Sequence, residues 1–151
     1  MQLMKIEDEI KQRAFKDERQ KAYINLVFTA GWLQLRQSAM FKEYGLTLPQ
    51  FNILRILRGQ HPKPATVNLL IERMLDKTSN ASRIVDKLEA KALVTRKVCP
   101  SNRRAVDIRI TEAGLNLLLG LDKVLEQQPM LRNLTEAEAT QLSALLDKIR
   151  D

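Results

Sequence analysis

The excess of basic over acidic side chains in this sequence lies between residues 77 and 104. This segment contains eight lysine and arginine side chains against two acidic ones, so it supplies +6 of the formal net charge of +7. Lysine and arginine bind phosphate oxygens, and arginine also matches the acceptor edge of guanine. A basic excess confined to one segment is typical of a surface that binds a polyanion. An ordinary solvated face is the alternative that charge alone leaves open.

The same inventory of side chains argues against catalysis and against a metal centre. The sequence has one histidine, His61, and one cysteine, Cys99, which are too few for a zinc site. It offers no paired carboxylates, no Cys–His pair and no glycine-rich phosphate motif. We therefore expect no enzymatic activity, no cofactor and no metal. We expect His61 to be a solvated loop residue and Cys99 to be an incidental thiol rather than a redox sensor.

The composition is that of one globular domain. The chain has 151 residues, of which 44% are hydrophobic and 28% charged. Its apolar runs are only a few residues long, so we expect no membrane span, and the N-terminal stretch MQLMKIEDEIKQR is too charged for a signal peptide. A single cysteine cannot form an internal disulfide. These features predict a cytoplasmic protein without a membrane partner.

Residues 77–91 are predicted to form a helix with one apolar and one donor-rich face. The apolar positions follow the i, i+3, i+4, i+7 rule: Ala81, Ile84, Val85 and Leu88. The positions between them are small and polar or basic: Ser79, Asn80, Ser82, Arg83 and Lys87. A short helix and a tight connection precede this one, as in a helix-turn-helix whose second helix enters the major groove. There Asn80 can pair with adenine and Arg83 can reach guanine or phosphate.

Capping signals place the helices around this segment. Thr47 and Gln50 form a capping box, Pro49 suits a first turn, and Gly59 is predicted to end that helix. Thr66 can cap the short helix that follows. The donor-rich helix has three competent N-caps at its start: Asp76, Thr78 and Ser79.

A β-hairpin is predicted over residues 94–110, directly after the donor-rich helix. Two alternating runs, ALVTRKV and AVDIRIT, flank the turn-forming stretch CPSNRR. Val106, Ile108 and Ile110 fall on one side of this hairpin. Arg103 and Arg104 lie near its tip, where arginine suits the negative potential of a narrow minor groove. A hairpin in this position is a wing.

Both ends of the chain are predicted to be helical and apolar. Residues from about Ile6 to Tyr44 contain no proline and one glycine, and they carry two apolar stripes at helical spacing. Two stripes require burial on two sides, which a partner subunit would provide. At the other end, Thr135 and Glu138 form a second capping box before a leucine-rich stripe.

Residues Ser82–Arg96, SRIVDKLEAKALVTR, and Ser101–Gly114, SNRRAVDIRITEAG, resemble the MarR family of winged helix-turn-helix transcriptional regulators. The order of elements is similar over essentially the whole chain. The resemblance implies a mainly α (α+β) fold in a single MarR-type domain, residues 1–151. Within it, a winged helix-turn-helix lobe at residues 45–114 is flanked by dimerisation helices at 1–44 and 115–151.

The resemblance further implies a homodimer on a pseudo-palindromic operator in double-stranded DNA. It assigns recognition-helix roles to Lys77, Ser79, Asn80, Ser82 and Arg83. It assigns wing roles to Arg103 and Arg104, with Arg104 as the minor-groove arginine. We expect Lys87, Lys91 and Lys97 to approach phosphates. The function expected is that of a ligand-responsive repressor, and the alternative is a protein-interaction module of the same fold with weakened DNA binding.

Two positions depart from the family pattern, and one group of residues is expected to bind an effector. Asn102 stands where the family usually has a wing aspartate, so it cannot brace an arginine with a charge-assisted pair. Ala92 stands where the family has glycine, which indicates a turn without positive φ. Many family members bind small lipophilic or phenolic effectors in a cleft beside the dimer helices. The residues that could line it here are aromatic, with plain core packing as the alternative: Tyr23, Phe28, Trp32 and Phe41.

Overall fold

The computed structural model describes residues 4–151, except for the side chains of Arg103 and Arg104. In chain order, the elements of this part are α1 (Ile6–Glu9), α2 (Glu18–Lys42), α3 (Leu48–Gln60), α4 (Val67–Arg73), α5 (Ala81–Ala90), β1 (Val94–Cys99), β2 (Asn102–Ile110), α6 (Glu112–Gln127) and α7 (Glu136–Ile149). The fold is therefore mainly α with one small antiparallel sheet, as the sequence predicts. Among the described helices, none is both long and apolar enough to cross a membrane.

The hydrophobic core lies in the middle of the chain, around α3. Side chains from five elements meet there and are almost fully buried: Ile53, Leu54, Leu57, Leu70, Val85, Leu88, Ile108, Leu118 and Leu121. Because α4, α5, β2 and the start of α6 all pack on α3, the predicted helix-turn-helix and wing form one lobe. Burial of such side chains contributes about 1.5–3 kcal/mol each, so this core holds the lobe rigid.

Helix α3 begins as predicted and ends one residue later. Thr47 and Gln50 form the expected capping box, with Gln50 N–H donating to Thr47 Oγ1 at 3.3 Å and Thr47 N–H to Gln50 Oε1 at 3.1 Å. The prediction that Gly59 ends the helix is wrong, since α3 continues through Gln60. A glycine inside a helix costs only about 1 kcal/mol, and the packing of the preceding turn outweighs that cost.

The hairpin lies at the predicted position, but its turn is shorter than the predicted stretch CPSNRR, because β1 extends to Cys99 and β2 begins at Asn102. Strands β1 and β2 are antiparallel, with Val98 opposite Val106 and a bulge before the pair Cys99–Asn102. A third segment joins the sheet through Ala65, whose N–H and C=O bond to Ile108 at 2.8 and 2.9 Å. The sequence does not predict this contact, because a single bridging residue has no periodicity.

The helical run predicted from about Ile6 to Tyr44 is interrupted. Helix α1 ends at Glu9, and Lys11 then adopts a left-handed conformation with φ 54°. Helix α2 starts afresh at Glu18, where the Asp17 carboxylate accepts the Gln20 N–H at 2.8 Å. The absence of proline permits a continuous helix but does not enforce one, and the Asp17 cap defines the new start.

The terminal helices bury very little of their apolar surface within the chain. Helix α2 has one buried residue, Phe41, and α7 has none. The chain exposes 11458 Å² in total, whereas a folded monomer of 17.4 kDa exposes about 7,900 Å². Apolar side chains contribute to this excess along three helices: Tyr23, Val27, Trp32 and Leu35 on α2, Leu119 on α6, and Leu142, Leu145 and Ile149 on α7.

Candidate nucleic-acid interface

Helices α4 and α5 and the turn between them form the predicted helix-turn-helix. Thr66 caps α4 by accepting the Leu69 N–H at 3.2 Å, as predicted. The inner face of the unit is closed by Met74, Ala81 and Val85, which are at most 2% exposed. Five of the outer positions predicted to face DNA are exposed: Lys77, Asn80, Ser82, Arg83 and Lys87. The sixth, Ser79, is half-buried. One face is thus anchored in the core and the other is open to a partner.

The donor-rich helix begins at Ala81 rather than at residue 77, so the predicted span 77–91 is too long. The predicted N-caps are also wrong, because Asn80 takes this role and its Oδ1 accepts the Arg83 N–H at 3.1 Å. Asp76 instead accepts the N–H and hydroxyl of Thr78 at 2.9 and 2.6 Å. These bonds lower the pKa of Asp76, and they close a turn that excludes residues 76–79 from the helix.

Asn80 therefore caps α5 in addition to its predicted role in contacting a DNA base. Its side-chain oxygen already serves the first turn of α5, which fixes the amide against the helix end. A paired contact with adenine requires both the oxygen and the nitrogen of an asparagine amide. Any contact with a base must use the second lone pair of that oxygen and the amide hydrogens that the cap does not use.

Two of the predicted DNA-binding lysines are directed at backbone carbonyls of the lobe. The ammonium group of Lys77 donates to Ile71 O at 3.1 Å and to Glu72 O, at the C-terminal end of α4. That of Lys91 donates to Gly45 O and, at 3.3 Å, to Gln50 Oε1. A cation at a helix C-terminus complements the helix dipole. Lys77 thus connects the turn before α5 to the end of α4, and Lys91 connects the end of α5 to Gly45 and to the first turn of α3.

An ion pair connects the wing to the recognition face. Arg96 on β1 donates to the Asp86 carboxylate on α5, and the two side chains are 31% and 60% exposed. Asp86 is the acidic residue next to Lys87 on the outer side of the helix. Pairing with Arg96 compensates its negative charge, and it ties the orientation of the hairpin to that of α5.

The wing tip contains the two arginines singled out from the sequence. Arg103 and Arg104 lie in strand β2, but their side chains are outside the described part of the structure, so their roles stay predictions. Asn102 is exposed at the start of the same strand. Cys99, opposite it, has its Sγ 3.2 Å from Ser101 Oγ. Hydrogen bonds from the hydroxyl and N–H of Ser101 lower the pKa of the Cys99 thiol.

The connection from α5 to β1 contradicts the expectation for Ala92. Its φ is 57°, so a left-handed residue is required there although it is not glycine. Ala92 N–H donates to Glu89 O at 2.8 Å and Leu93 N–H donates to Leu88 O at 3.0 Å, which is the Schellman pattern of a helix C-terminus. The chain must reverse within two residues to start the hairpin. This reversal requires a positive φ at residue 92, although alanine disfavours it.

A cavity of about 480 Å³ lies beside α2, α3 and the turn before α5. Of the four aromatic residues predicted to line an effector cleft, Phe41 borders this cavity, with its ring centroid 4.2 Å from that of Phe51. Tyr23, Phe28 and Trp32 are not among the described lining residues of this cavity, and the effector role of all four stays a prediction. Tyr23 and Trp32 are instead 66% and 47% exposed.

The cavity lining includes polar residues that were not predicted from the sequence to line a cleft. They are Gln34, Gln37, Asn52, Arg55 and Asp76. The apolar part of the wall consists of Phe41, Leu48, Pro49, Phe51 and Leu75. Asn52 and Arg55 lie three residues apart on helix α3, whose opposite face is buried in the core, and so share a face. That pair of polar residues on a core helix was the signal available in the sequence.

A helix-turn-helix followed by a hairpin that packs on its second helix defines the winged helix-turn-helix class. A model of the MarR family matches residues 44–105. A solved structure of a MarR transcription factor from Planctomyces limnophilus is 30% identical, with 89% of this chain and 98% of that chain covered and a TM-score of 0.69. The chain belongs to the MarR family.

Two further proteins are similar to this chain. The HTH-type transcriptional regulator MhqR of Bacillus subtilis is 29% identical over 109 residues, which cover 71% of this chain and 74% of that protein. BpsR of Bordetella bronchiseptica, whose DNA binding is regulated by 6-hydroxynicotinic acid, has the same fold, with a TM-score of 0.65, 23% identity and coverage of 84% and 99%. Members of the family are transcription regulators rather than enzymes, as expected for this sequence.

Proposed function

We propose that this protein is a dimeric, sequence-specific DNA-binding regulator that represses transcription and responds to a small effector. The observation that carries the proposal is the asymmetry of α5. Ala81, Val85 and Leu88 are buried on one side, whereas Ser82, Arg83 and Lys87 are exposed on the other. A helix anchored in this way can enter a major groove without losing its place in the lobe. Occupation of promoter DNA by the bound protein accounts for repression.

The proposed contacts follow the arrangement of α5 and the wing. Ser82 and Arg83 read base edges in the major groove, and Lys87 and Lys97 approach phosphates. Arg103 and Arg104 enter the flanking minor groove, with Asn102 beside them. The ion pair between Arg96 and Asp86 supports simultaneous contact with both grooves, because it fixes the angle between hairpin and helix.

The dimer is proposed from the exposed apolar surface of the terminal helices. In this proposal, residues 45–114 form the DNA-binding lobe and residues 1–44 and 115–151 form the dimerisation part of one domain. The excess exposed area of about 3,600 Å² over a typical monomer is as large as the surface that stable homodimers bury. Two lobes related by a dyad match a pseudo-palindromic operator with half-sites about 10 bp apart, or a small multiple of that.

The effector is proposed to occupy the cavity beside α2 and α3. A volume of about 480 Å³ lies within the range of small-molecule sites. Phe51 and Pro49 offer flat apolar surfaces, and the Arg55 guanidinium lies 5.9 Å from the centroid of the Phe51 ring. A small aromatic compound with an acidic group matches this combination. The regulation of BpsR by 6-hydroxynicotinic acid supports the same class of effector.

The decisive experiment selects binding sites from random duplex DNA and then measures affinity for the selected operator by fluorescence anisotropy. Arg83→Ala should weaken operator binding by about 1–3 kcal/mol, or roughly 5- to 150-fold. Arg150→Ala removes the same charge after the end of α7 and is the matched control, for which we expect less than a twofold change.

The salt dependence of binding separates the proposal from its alternative. The affinity for the operator should fall steeply as salt increases, because bound lysines and arginines release counterions from DNA. A selection that yields no common sequence, together with equal affinities of the two arginine variants, would contradict sequence-specific recognition. It would favour a protein-interaction module of the same fold.

A further inference from the structure

The cavity and the recognition helix are connected through one side chain, Asn52. It lies on α3, half-buried in the cavity wall. Its Oδ1 accepts the backbone N–H of Leu75 at 2.9 Å, across 23 residues of sequence. Leu75 and the next residue, Asp76, also line the cavity. The same wall thus belongs to the cavity and to the turn that leads into α5.

Little else in the apolar packing restrains this part of the turn. Met74 is 2% exposed and anchors the end of α4, but the side chain of Leu75 is 85% exposed. A residue that buries so little of its side chain is held mainly by backbone hydrogen bonds, and segments held in this way open more readily than core elements. The Asn52–Leu75 bond ties the start of the turn to α3, and the Lys77 ammonium group ties a later part of it to the end of α4.

From Leu75 onward the turn is a short, internally bonded connection to the recognition helix. The Asp76 carboxylate accepts from Thr78, and Ser79 N–H donates to Asp76 O at 3.3 Å. Asn80, the N-cap of α5, follows directly. Because residues 76–79 are tied to one another, a displacement at Leu75 moves the start of α5 rather than being absorbed within the turn.

We propose that Asn52 is a positioning residue that transmits occupancy of the cavity to the recognition helix. A molecule in the cavity displaces the Leu75 backbone or takes the Asn52 amide as its own hydrogen-bond partner. Either event releases the Leu75 N–H, shifts the turn and moves the first turn of α5 out of register with the major groove. The proposal rests on the proposed DNA-binding function and adds the link between its two sites.

The test uses an occupant whose presence can be verified. Gln37, also in the cavity wall, is replaced by cysteine in a Cys99→Ser background, and the full chain is labelled with N-phenylmaleimide and checked by mass. Operator affinity and hydrogen exchange of the Leu75 amide are measured with and without the label. The same measurements are made with Asn52→Leu, which keeps the size of the side chain but has no acceptor, and with Asn52→Asp, which keeps the acceptor.

In the parent, labelling should lower operator affinity about tenfold and accelerate exchange at Leu75 at least tenfold. Without label, Asn52→Leu should reproduce both effects, and labelling should then add less than a twofold change. Asn52→Asp should behave like the parent with and without label. Thermal midpoints of the three proteins serve to exclude general unfolding.

Two results would overturn the inference. One is an equal loss of affinity on labelling in the Asn52→Leu and parent proteins, because the effect would then bypass Asn52. The other is an unchanged exchange rate at Leu75 in the labelled parent. If the unlabelled parent shows no sequence preference for DNA, the proposed function fails, and the exchange measurement still decides whether Asn52 couples the cavity to the turn.

Discussion

Replacing Ala92 by glycine should stabilise this protein, although the substitution adds no contact. Ala92 is exposed, and its φ of 57° lies in the left-handed region. There the Cβ of an L-residue crowds the carbonyl oxygen, whereas glycine has no Cβ and adopts this conformation freely. The two hydrogen bonds that close the end of α5, from Ala92 and Leu93 to Glu89 and Leu88, remain available to the variant.

The expected change in the free energy of unfolding is the difference between two opposing effects. Left-handed backbone costs a non-glycine residue about 1–2 kcal/mol. Glycine makes the unfolded chain more flexible, which costs about 0.4–1 kcal/mol in folding free energy. The net gain for Ala92→Gly is therefore between about 0 and 1.6 kcal/mol, with a midpoint of about 0.8 kcal/mol. For a chain of 151 residues, 1 kcal/mol corresponds to a rise in Tm of roughly 2–4 °C.

Urea denaturation followed by circular dichroism measures this gain. Parent and variant must be compared at one protein concentration, because a dimer unfolds at a midpoint that depends on concentration. The matched control is Ala90→Gly, two residues earlier and also exposed. Ala90 lies within α5, so glycine there should destabilise the protein by up to about 1 kcal/mol.

The two glycine variants should thus change stability in opposite directions. If Ala92→Gly lowers the urea midpoint as Ala90→Gly does, the backbone at residue 92 is not left-handed, and the account of the α5–β1 connection is wrong. An increase for both variants would show that the gain does not depend on a left-handed backbone, because Ala90 lies within α5.

Two further predictions concern the ends of the lobe. Gly114→Ala should lower the free energy of unfolding by about 1–3 kcal/mol or more. The reason is that the added Cβ would lie 2.5 Å from Leu93 O and 2.7 Å from Ile110 Cγ1. An unchanged thermal midpoint would show that this close approach does not exist. Asn80→Ser keeps an N-cap acceptor but loses the amide. Site selection with this variant should show a weaker preference for adenine at one operator position, and its stability should be nearly unchanged. Asn80→Ala should also lose about 1 kcal/mol in the free energy of unfolding. The same selected sequence for the serine variant and the parent would mean that Asn80 only caps the helix.

The sequence by itself determined the elements that depend on near neighbours. The capping boxes at Thr47 and Thr135 and the cap at Thr66 each require side chains only three residues apart, so they are visible in the sequence and occur as predicted. The alternation of the two hairpin strands and the apolar period of α5 are local patterns of the same kind. Their order along the chain predicts a helix-turn-helix followed by a wing, and the resemblance of Ser82–Arg96 and Ser101–Gly114 indicates the family.

Competing local signals were resolved only by the folded chain. Asp76, Thr78, Ser79 and Asn80 are all competent N-caps, and the bonds between Asp76 and Thr78 leave Asn80 as the cap. Likewise, alanine at residue 92 suggests an ordinary backbone. The hairpin must nevertheless pack against α5, and this demand imposes a positive φ on whatever residue occupies the position.

Contacts between residues distant in sequence were decided by the tertiary structure alone. Lys91 reaches Gly45, Arg96 pairs with Asp86, Ala65 bridges Ile108, and Asn52 holds the Leu75 backbone. No periodicity links such partners, because their separation depends on how helices cross and where loops return. The sequence therefore shows which basic and polar side chains are present, and only packing around α3 establishes which of them are already engaged in holding the lobe together.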